Sequence, residues 1–299
     1  MANVISKGSL FPAELVSEMF NTVRGKSSLA RLSGSMPVSF NGNEIFTFSL
    51  DKEVDLVAEN AAKENGGGTI APVSIQPVKI EYGMRVSDEF MYASEEARLN
   101  ILATFAEGFA RKAARGLDIM AFHGLNPRSG SAASQIATKN FDALVSQTVT
   151  VSSNPNVDVA GAISAVEAAE HEVTGMAMAP AFRTSLASLT KGTNSNEPMF
   201  PELAWGSNPG VINGLPVDVN STVSFGTGTK DRAIVGNFAD YFKWGYAREI
   251  PVEVIEYGNP DNDATAGDLK GHNQVYLRGE AYVGWGILVP SAFARIVTT

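Results

Sequence analysis

The chain lacks cysteine altogether and is short of basic residues. Across its 299 residues, 23 lysines and arginines face 32 aspartates and glutamates, giving a net charge of −9. Without cysteine there are no disulfide bonds and no thiolate metal sites, so stability must come from packing and association. A protein that holds duplex DNA by its phosphates normally carries a basic patch, and no dense cluster of lysine and arginine occurs. Direct DNA binding is therefore disfavoured.

Long apolar runs are also missing. No stretch approaches the roughly 18 consecutive apolar residues of a membrane span, and the first residues, MANVISKGSLFPAEL, lack the basic-then-apolar pattern of a secretory signal. We therefore predict no membrane segment. With 44% hydrophobic and 18% charged residues, the chain can bury a sizeable core as one large domain or as two lobes.

Histidines are few and stand in unrelated contexts. We expect His123 to end a helix beside Gly124 and His171 to occupy a polar helix position. The sequence HEVTG at 171–175 lacks the second histidine of a zinc-protease helix. Residues 188–191 match the S-x-x-K pattern by spacing alone. The sequence thus predicts no catalytic, cofactor-binding or metal-binding residue.

An acidic loop, PDNDATAGDLKGH, suggests calcium through Asp261, Asp263 and Asp268. The EF-hand positions for the obligatory glycine and the terminal glutamate hold Ala266 and His272 instead. We interpret this loop as a solvated hairpin tip.

Residues 40–80 have the pattern of a two-stranded ribbon. Phe46, Phe48 and Leu50 alternate with polar residues, as Val73 and Ile75 do on the return strand. After residue 77, a proline, the apolar positions change parity, which predicts a bend. An isolated ribbon is marginal in water, so something must cover it. Either it folds back on its own domain or it extends over a neighbouring subunit.

A helix of about 30 residues is predicted next. Ser94 can cap its start, apolar residues recur at spacings of three and four, and Gly124 supplies the stop. Gly108 and Gly116 lie inside this helix, where glycine is costly, so we expect another backbone to pack closely against them.

The second half alternates strands with helices, as in a mixed α/β lobe. We predict a strand within QTVTVS, a helix capped by Asp158 and closed by Gly175, a strand in GMAMAP, a helix around 181–189, and a strand over 212–220. The last residues, from 232 onward, are predicted to be mainly strands. Residues 1–39 contain a short helical pattern around 12–20 and too little apolar periodicity to form a core, so they are predicted to be an arm lying on other surfaces.

Several strings in order resemble one protein family. VKIEYGMRVSDEF, GLDIMAFHG, MAMAPAF, INGLPVDVN and AYVGWGILVPSAFARI follow each other as in tailed-phage major capsid proteins of the Hong Kong 97 fold. The resemblance implies an α+β fold whose parts are an N-terminal arm (1–39), an extended β-hairpin loop (40–80), a peripheral domain with a long spine helix (81–124), an α/β axial domain (125–245) and return strands of the peripheral domain (246–299).

The resemblance also implies a function. The chain would be a major capsid protein, not an enzyme, that self-assembles through pentamers and hexamers into an icosahedral shell. The shell would enclose phage double-stranded DNA without sequence-specific contacts. Its expected location is the virion capsid, assembled in the host cytoplasm, and its expected partners are a separate scaffolding protein, a portal and a decoration protein. An encapsulin-type nanocompartment, which encloses a cargo enzyme, is the alternative, and a ligand-binding or hydrolytic enzyme is a third hypothesis.

Some members of that family join subunits by lysine–asparagine crosslinks. Here Lys52 or Lys63 would have to pair with Asn259, Asn262 or Asn273, and no complete constellation aligns. We therefore expect subunits held by packing alone.

Overall fold

The structure is a computed structural model that describes residues 27–192, 195–228, 230–247 and 252–299. The helical pattern around residues 12–20 lies outside these residues. The helices are α1 (Ser28–Leu32), α2 (Glu89–Tyr92), α3 (Glu95–His123), α4 (Phe141–Leu144), α5 (Pro155–Ala168), α6 (Pro180–Ala187) and α7 (Phe238–Tyr241). The strands are β1 (Asn43–Leu50), β2 (Gly68–Ile75), β3 (Val78–Ser87), β4 (Thr148–Thr150), β5 (Gly175–Met178), β6 (Val211–Ile212), β7 (Leu215–Val219), β8 (Asp231–Gly236), β9 (Phe242–Tyr246), β10 (Val252–Ile255), β11 (Gln274–Ile287) and β12 (Phe293–Val297).

The predicted ribbon is present as β1 and β2, which pair antiparallel with Phe48 opposite Ile70. β2 ends at Ile75, and β3 starts at Val78 in a different sheet. The sequence analysis predicted a bend at this proline; in the structure the chain leaves the ribbon there and enters a different sheet.

The second sheet is organised by β11, which is 14 residues long and pairs antiparallel with β3, β10 and β9. Helix α3 packs on this sheet at Gly279, where an added Cβ would lie 2.9 Å from Cγ of Phe109. Carbon atoms do not approach so closely without displacement, so the helix reaches this position only because residue 279 has no side chain.

Helix α3 confirms the predicted spine. It has 29 residues, the Ser94 hydroxyl accepts a hydrogen bond from the Ala97 N–H, and Gly124 ends the helix with a left-handed φ of 64°. The expectation of close backbone packing at both interior glycines is wrong. A Cβ on Gly108 would meet nothing within 4 Å, and one on Gly116 would meet only the side chain of Pro127, at 3.5 Å.

The third sheet has six strands in the order β4-β12-β8-β5-β7-β6, and α5 packs against it. Helix α5 begins differently from the prediction. Asn154 is its cap, and the carboxylate of Asp158 instead accepts hydrogen bonds from the N–H and hydroxyl of Ser152. It also ends earlier, at Ala168, because Glu170 adopts a left-handed φ of 63° that stops the helix. His171 consequently lies outside the helix.

The sequence predicted one strand over 212–220, but this stretch forms a tight hairpin. β6 and β7 pair antiparallel around Asn213 and Gly214, whose φ angles are 49° and 85°. Two successive positive φ values are those of a type I′ turn, for which Asn-Gly is the preferred pair.

Two segments belong to other parts of the fold than the sequence analysis predicted. Within the predicted arm, residues 28–32 form α1, and Leu29 and Ala30 are fully buried in the largest core cluster. This part of the arm is therefore a core element, since its own chain covers it. β12, in the predicted return segment, belongs to the six-stranded sheet between β4 and β8.

Candidate assembly surface

The ribbon presents an uncovered apolar face. Cross-strand partners share a face of a β-ribbon, so Phe46, Phe48, Leu50 and Ile70 lie together. Their side chains are 64%, 65%, 71% and 63% exposed. A contiguous exposed apolar strip of this kind promotes aggregation of a monomer and is typical of an interaction surface. We call these four residues the ribbon face.

The root of the ribbon is firmly attached to the rest of the chain. Ile75 is fully buried, and its side chain lies over two glycines of β11, Gly284 and Gly286, where an added Cβ would come within 3.1 and 2.8 Å of it. Lys139 also donates a hydrogen bond to the Gln76 side chain, at 3.1 Å. The ribbon therefore projects from a fixed base.

Residues 51–67, the ribbon tip, connect β1 to β2. The Asp51 carboxylate accepts a hydrogen bond from the Gly67 N–H, which closes the connection at its base. Beyond that point Val54 and Leu56 are 97% and 99% exposed. Nothing in the described part of the chain covers these two apolar side chains.

A groove lies beside α3, where the helix faces the start of β3 and residues 126–136. Its volume is about 500 Å³. Phe109 and Ile80 line its apolar surface, and Lys112, Arg115 and Arg128 bring positive charge to it. We call it the α3 groove.

A single tryptophan provides another exposed apolar feature. Trp205 is fully exposed and adopts a left-handed φ of 54°, and Gly206 follows with a φ of 84°. A bulky residue rarely takes this conformation, and a fully solvated indole contributes little to a monomer. The sequence analysis did not single out this residue.

The acidic loop before β11 is held by one arginine. The Arg85 guanidinium donates to both carboxylate oxygens of Asp261, at 2.8 and 2.6 Å, and to Oδ1 of Asn259, at 2.8 Å. This contact lowers the pKa of Asp261 to about 2. The carboxylates of Asp263 and Asp268 accept backbone N–H groups of their own loop. The interpretation as a solvated tip is therefore incomplete, because the loop is pinned to β3.

The lysines and asparagines considered for crosslinking occupy different elements. Lys52 lies in the ribbon tip, where its ammonium contacts the Asn65 carbonyl oxygen at 3.4 Å. Lys63 is in the same tip. The loop before β11 contains Asn259 and Asn262, and its last residue is Asn273. Among the described residues, no hydrogen bond joins Lys52 or Lys63 to any of these three asparagines.

The three histidines do not converge. His123 is buried at the end of α3, as predicted. His171 contacts the Ser291 hydroxyl at 3.1 Å and the Tyr241 ring, while Nδ1 of His272 contacts the Asp268 carbonyl oxygen at 2.9 Å. Ser188 and Lys191 are also separate, since the hydroxyl donates to the Ser185 carbonyl and the ammonium pairs with Glu197.

His123 takes part in a buried polar cluster that the sequence analysis missed. Its Nε2 lies 2.9 Å from the Thr222 carbonyl oxygen, which only accepts, so Nε2 carries a proton. Its Nδ1 lies 3.0 Å from Asp142 and 3.8 Å from Asp231. Burial lowers the pKa of His123, but the hydrogen bond and charge of Asp142, with the charge of Asp231, raise it overall.

Arg295 completes that cluster by contacting Asp142 at 2.6 Å and Asp231 at 3.0 Å. Burial and the nearby Asp142 raise the pKa of Asp231 to about 7. The imidazole and the two carboxylates are close enough to ligate a metal ion. The guanidinium already supplies a cation to both carboxylates, so the arrangement favours an ion-pair network that joins α3, β8 and β12.

A second buried carboxylate anchors the start of the described chain. Asp118 of α3 accepts hydrogen bonds from the Ser27 hydroxyl, the Ser28 N–H at 2.9 Å and the Thr222 hydroxyl at 2.9 Å. Burial raises its pKa to about 6, although the hydrogen bonds oppose that shift. A carboxylate inside the apolar run GLDIMAF was the sequence signal for this anchor. Asp118 therefore holds the start of α1 against α3.

Comparison with solved structures gives the class of the protein. The chain resembles a structure from Mycobacterium phage Ogopogo with 28% identity and a TM-score of 0.78, covering 92% of both chains. It resembles one from Gordonia phage Cozz with 24% identity and a TM-score of 0.72, covering 92% of this chain and 87% of the other. It also resembles the capsid of an empty GTA particle at 12% identity and a TM-score of 0.64, covering 92% and 90%. A comparison with curated proteins finds no match.

These matches define a capsid fold of mixed α and β structure, in agreement with the expected Hong Kong 97-like architecture. The model of the phage capsid family matches residues 7–298, so the chain belongs to the phage capsid family. It is a major capsid protein, a structural subunit of an icosahedral shell and of the virion capsid. The nanocompartment alternative is not favoured. In the described part of the chain, no helix combines the length and apolarity needed to cross a membrane.

Proposed function

We propose that the chain assembles through pentamers and hexamers into a closed shell around phage double-stranded DNA, with the ribbon of each subunit lying over an adjacent subunit. The observation that carries this proposal is the ribbon face, whose four large apolar side chains are each more than 60% exposed. Fully burying such a side chain is worth about 1.5–3 kcal/mol. The ribbon face thus supplies a driving force that becomes available only on association.

The way the ribbon is attached favours contact with a neighbouring subunit over packing on its own domain. Its root is fixed by Ile75, and an eight-residue strand at about 3.4 Å per residue carries the tip ~27 Å away from that root. A ribbon folded on its own domain would cover Phe46 and Phe48 in the subunit, and both are exposed.

The division into parts remains a proposal, with two amendments from strand pairing. We assign residues 40–80 to the extended loop and 81–124, with β10 and β11, to the peripheral domain. Residues 125–245 would form the axial domain. Because β12 pairs with β4 and β8, we assign residues 293–297 to the axial sheet. We likewise assign β9 to the peripheral domain instead of the axial domain, because it pairs with β11.

The encapsidated DNA would be contained without base-specific contacts. The net charge of −9 supports this, because a protein with excess negative charge does not bind the DNA phosphates tightly. We further propose assembly in the host cytoplasm with a separate scaffolding protein, a portal and a decoration protein as partners. The subunits would have no catalytic role and would be held by packing without lysine–asparagine crosslinks.

Light scattering and negative-stain electron microscopy of the purified chain test the assembly, with and without the products of neighbouring genes. We expect rings of five or six subunits, or closed shells. A chain that stays monomeric even with a scaffolding partner would contradict the proposal. A ladder of bands on a boiled denaturing gel of assembled particles would contradict the absence of crosslinks.

A further inference from the structure

The ribbon tip has an unusual combination of acidic and apolar side chains. Its acidic residues are Asp51, Glu53, Asp55, Glu59 and Glu64, and two lysines give it a net charge of −3. Within this charged setting Val54 and Leu56 are 97% and 99% exposed. A segment that carries both negative charge and uncovered aliphatic groups needs a receptor that is both basic and apolar.

The α3 groove has that composition. Lys112, Arg115 and Arg128 line it and, among the described residues, none of the three forms an ion pair. Arg115 donates to the Ser221 hydroxyl, and Arg128 lies 6.0 Å from the centre of the Tyr82 ring. These positive charges thus lack carboxylate partners within the subunit.

Lys79 also lines the groove, but a carboxylate outside the lining neutralises it. Lys79 pairs with Glu280 at 2.7 Å, and Glu81 is the acidic residue of the lining. The apolar part of the groove is formed by Ile80, by Phe109, which is 3% exposed, and by Tyr82, which is 39% exposed. The groove is therefore positively charged overall and offers an apolar surface to an incoming aliphatic side chain.

We infer that the α3 groove of one subunit receives the ribbon tip of a second copy, with Val54 and Leu56 against its apolar lining and Glu53 and Asp55 beside its basic residues. This inference rests on the proposed function and identifies the receptor for the tip. The argument for a second copy is charge complementarity, since the tip carries −3 and the groove's three unpaired cations face a single unpaired carboxylate. In the structure the tip occupies no groove of its own chain, as the exposure of Val54 and Leu56 demonstrates.

Crosslinking tests the contact directly, because the chain has no cysteine of its own. The double variant Leu56→Cys/Gln135→Cys places one thiol on the tip and one on the exposed wall of the groove. Treating assembled shells with a short bis-maleimide is expected to give a ladder of covalent oligomers on a denaturing gel. Each single variant and the pair Leu56→Cys/Lys191→Cys serve as controls that should remain largely monomeric on the gel.

Charge reversal tests the recognition. Lys112→Glu/Arg128→Glu should lower the yield of shells on the order of tenfold, since attraction becomes repulsion. Adding Glu53→Lys/Asp55→Lys should restore much of the yield. All four positions are exposed, so circular dichroism of the isolated subunits should be unchanged.

The outcomes separate this inference from the proposed function. Shells that form but give no more crosslinking than the controls, or that form equally well after charge reversal, would overturn the groove assignment alone. A wild-type chain that forms neither rings nor shells would overturn the proposed function and the groove assignment with it. A ladder together with rescue by the compensating charges would support both.

Discussion

Replacing Phe48 by alanine should impair assembly while leaving the isolated subunit intact. The side chain is 65% exposed, so little of its burial is realised within the subunit. Full burial of a phenylalanine is worth about 1.5–3 kcal/mol, and the exposed share amounts to ~1–2 kcal/mol per contact. Since about 1.4 kcal/mol corresponds to a factor of ten, the critical concentration for assembly should rise roughly 5- to 30-fold.

Light scattering against protein concentration measures that critical concentration, with electron microscopy to identify the particles. Urea unfolding of the subunit below this concentration should change by no more than about 0.5 kcal/mol, as for most surface substitutions. Ser49→Ala, at an exposed site on the other face of the same strand, is the matched control and should assemble normally. Phe105→Ala is the opposite control: its ring is 8% exposed, so the subunit itself should lose about 3–5 kcal/mol.

The reasoning would be refuted by the reverse pattern. If Phe48→Ala destabilised the subunit by more than about 1 kcal/mol and left the critical concentration unchanged, the ribbon would pack on its own domain in solution. In that case the ribbon face would be part of the subunit core.

Three other predictions concern the subunit itself. Asp118→Ala should lower the free energy of unfolding in urea by on the order of 2–4 kcal/mol, because several buried hydrogen-bond donors lose their acceptor. A decrease below about 0.5 kcal/mol would contradict the anchor role. The raised pKa values of Asp118, about 6, and Asp231, about 7, mean that the native state binds more protons than the unfolded state, so stability should increase as pH falls from 8 to 5 and decrease as pH rises through 6 and 7. Urea midpoints across this range measure the slope, Asp231→Asn should flatten it, and a steady loss of stability on acidification would show that other groups dominate. Gly279→Ala should destabilise by about 1–3 kcal/mol because its Cβ meets the Phe109 ring, whereas Gly108→Ala, with open space around it, should stabilise α3 by about 0.5–1 kcal/mol; equal effects at both sites would refute the packing argument.

Helix α3 and the ribbon were predictable because their signals are local. The apolar spacing lies within the 29 residues of the helix, and the two caps, Ser94 and Gly124, stand directly next to them. Alternation within β1 and β2 defines the ribbon in the same way. Helix α5 was predicted with wrong ends, because Asn154 and Asp158 both suit a helix start. Its stop uses a left-handed conformation that favours glycine, so a glutamate at position 170 gives no sequence signal for it.

The buried polar clusters were not predictable as clusters. His123, Asp142, Asp231 and Arg295 come from four separate parts of the chain, and only the packing of α3 against the six-stranded sheet brings them together. The α3 groove has the same origin, since β3, α3 and residues 126–136 each contribute one side.

The sequence by itself determined the kinds of elements and the family, because caps, periodicity and turn residues act over a few positions, and because several strings recur in a characteristic order. Tertiary structure alone decided which sheet each strand joins, that α1 enters the core, and which charges remain unpaired at the α3 groove. These properties depend on contacts between residues far apart in the chain. The exposed ribbon face combines both kinds of information: alternation predicts its apolar side, and only the folded subunit reveals that nothing within the described residues covers it.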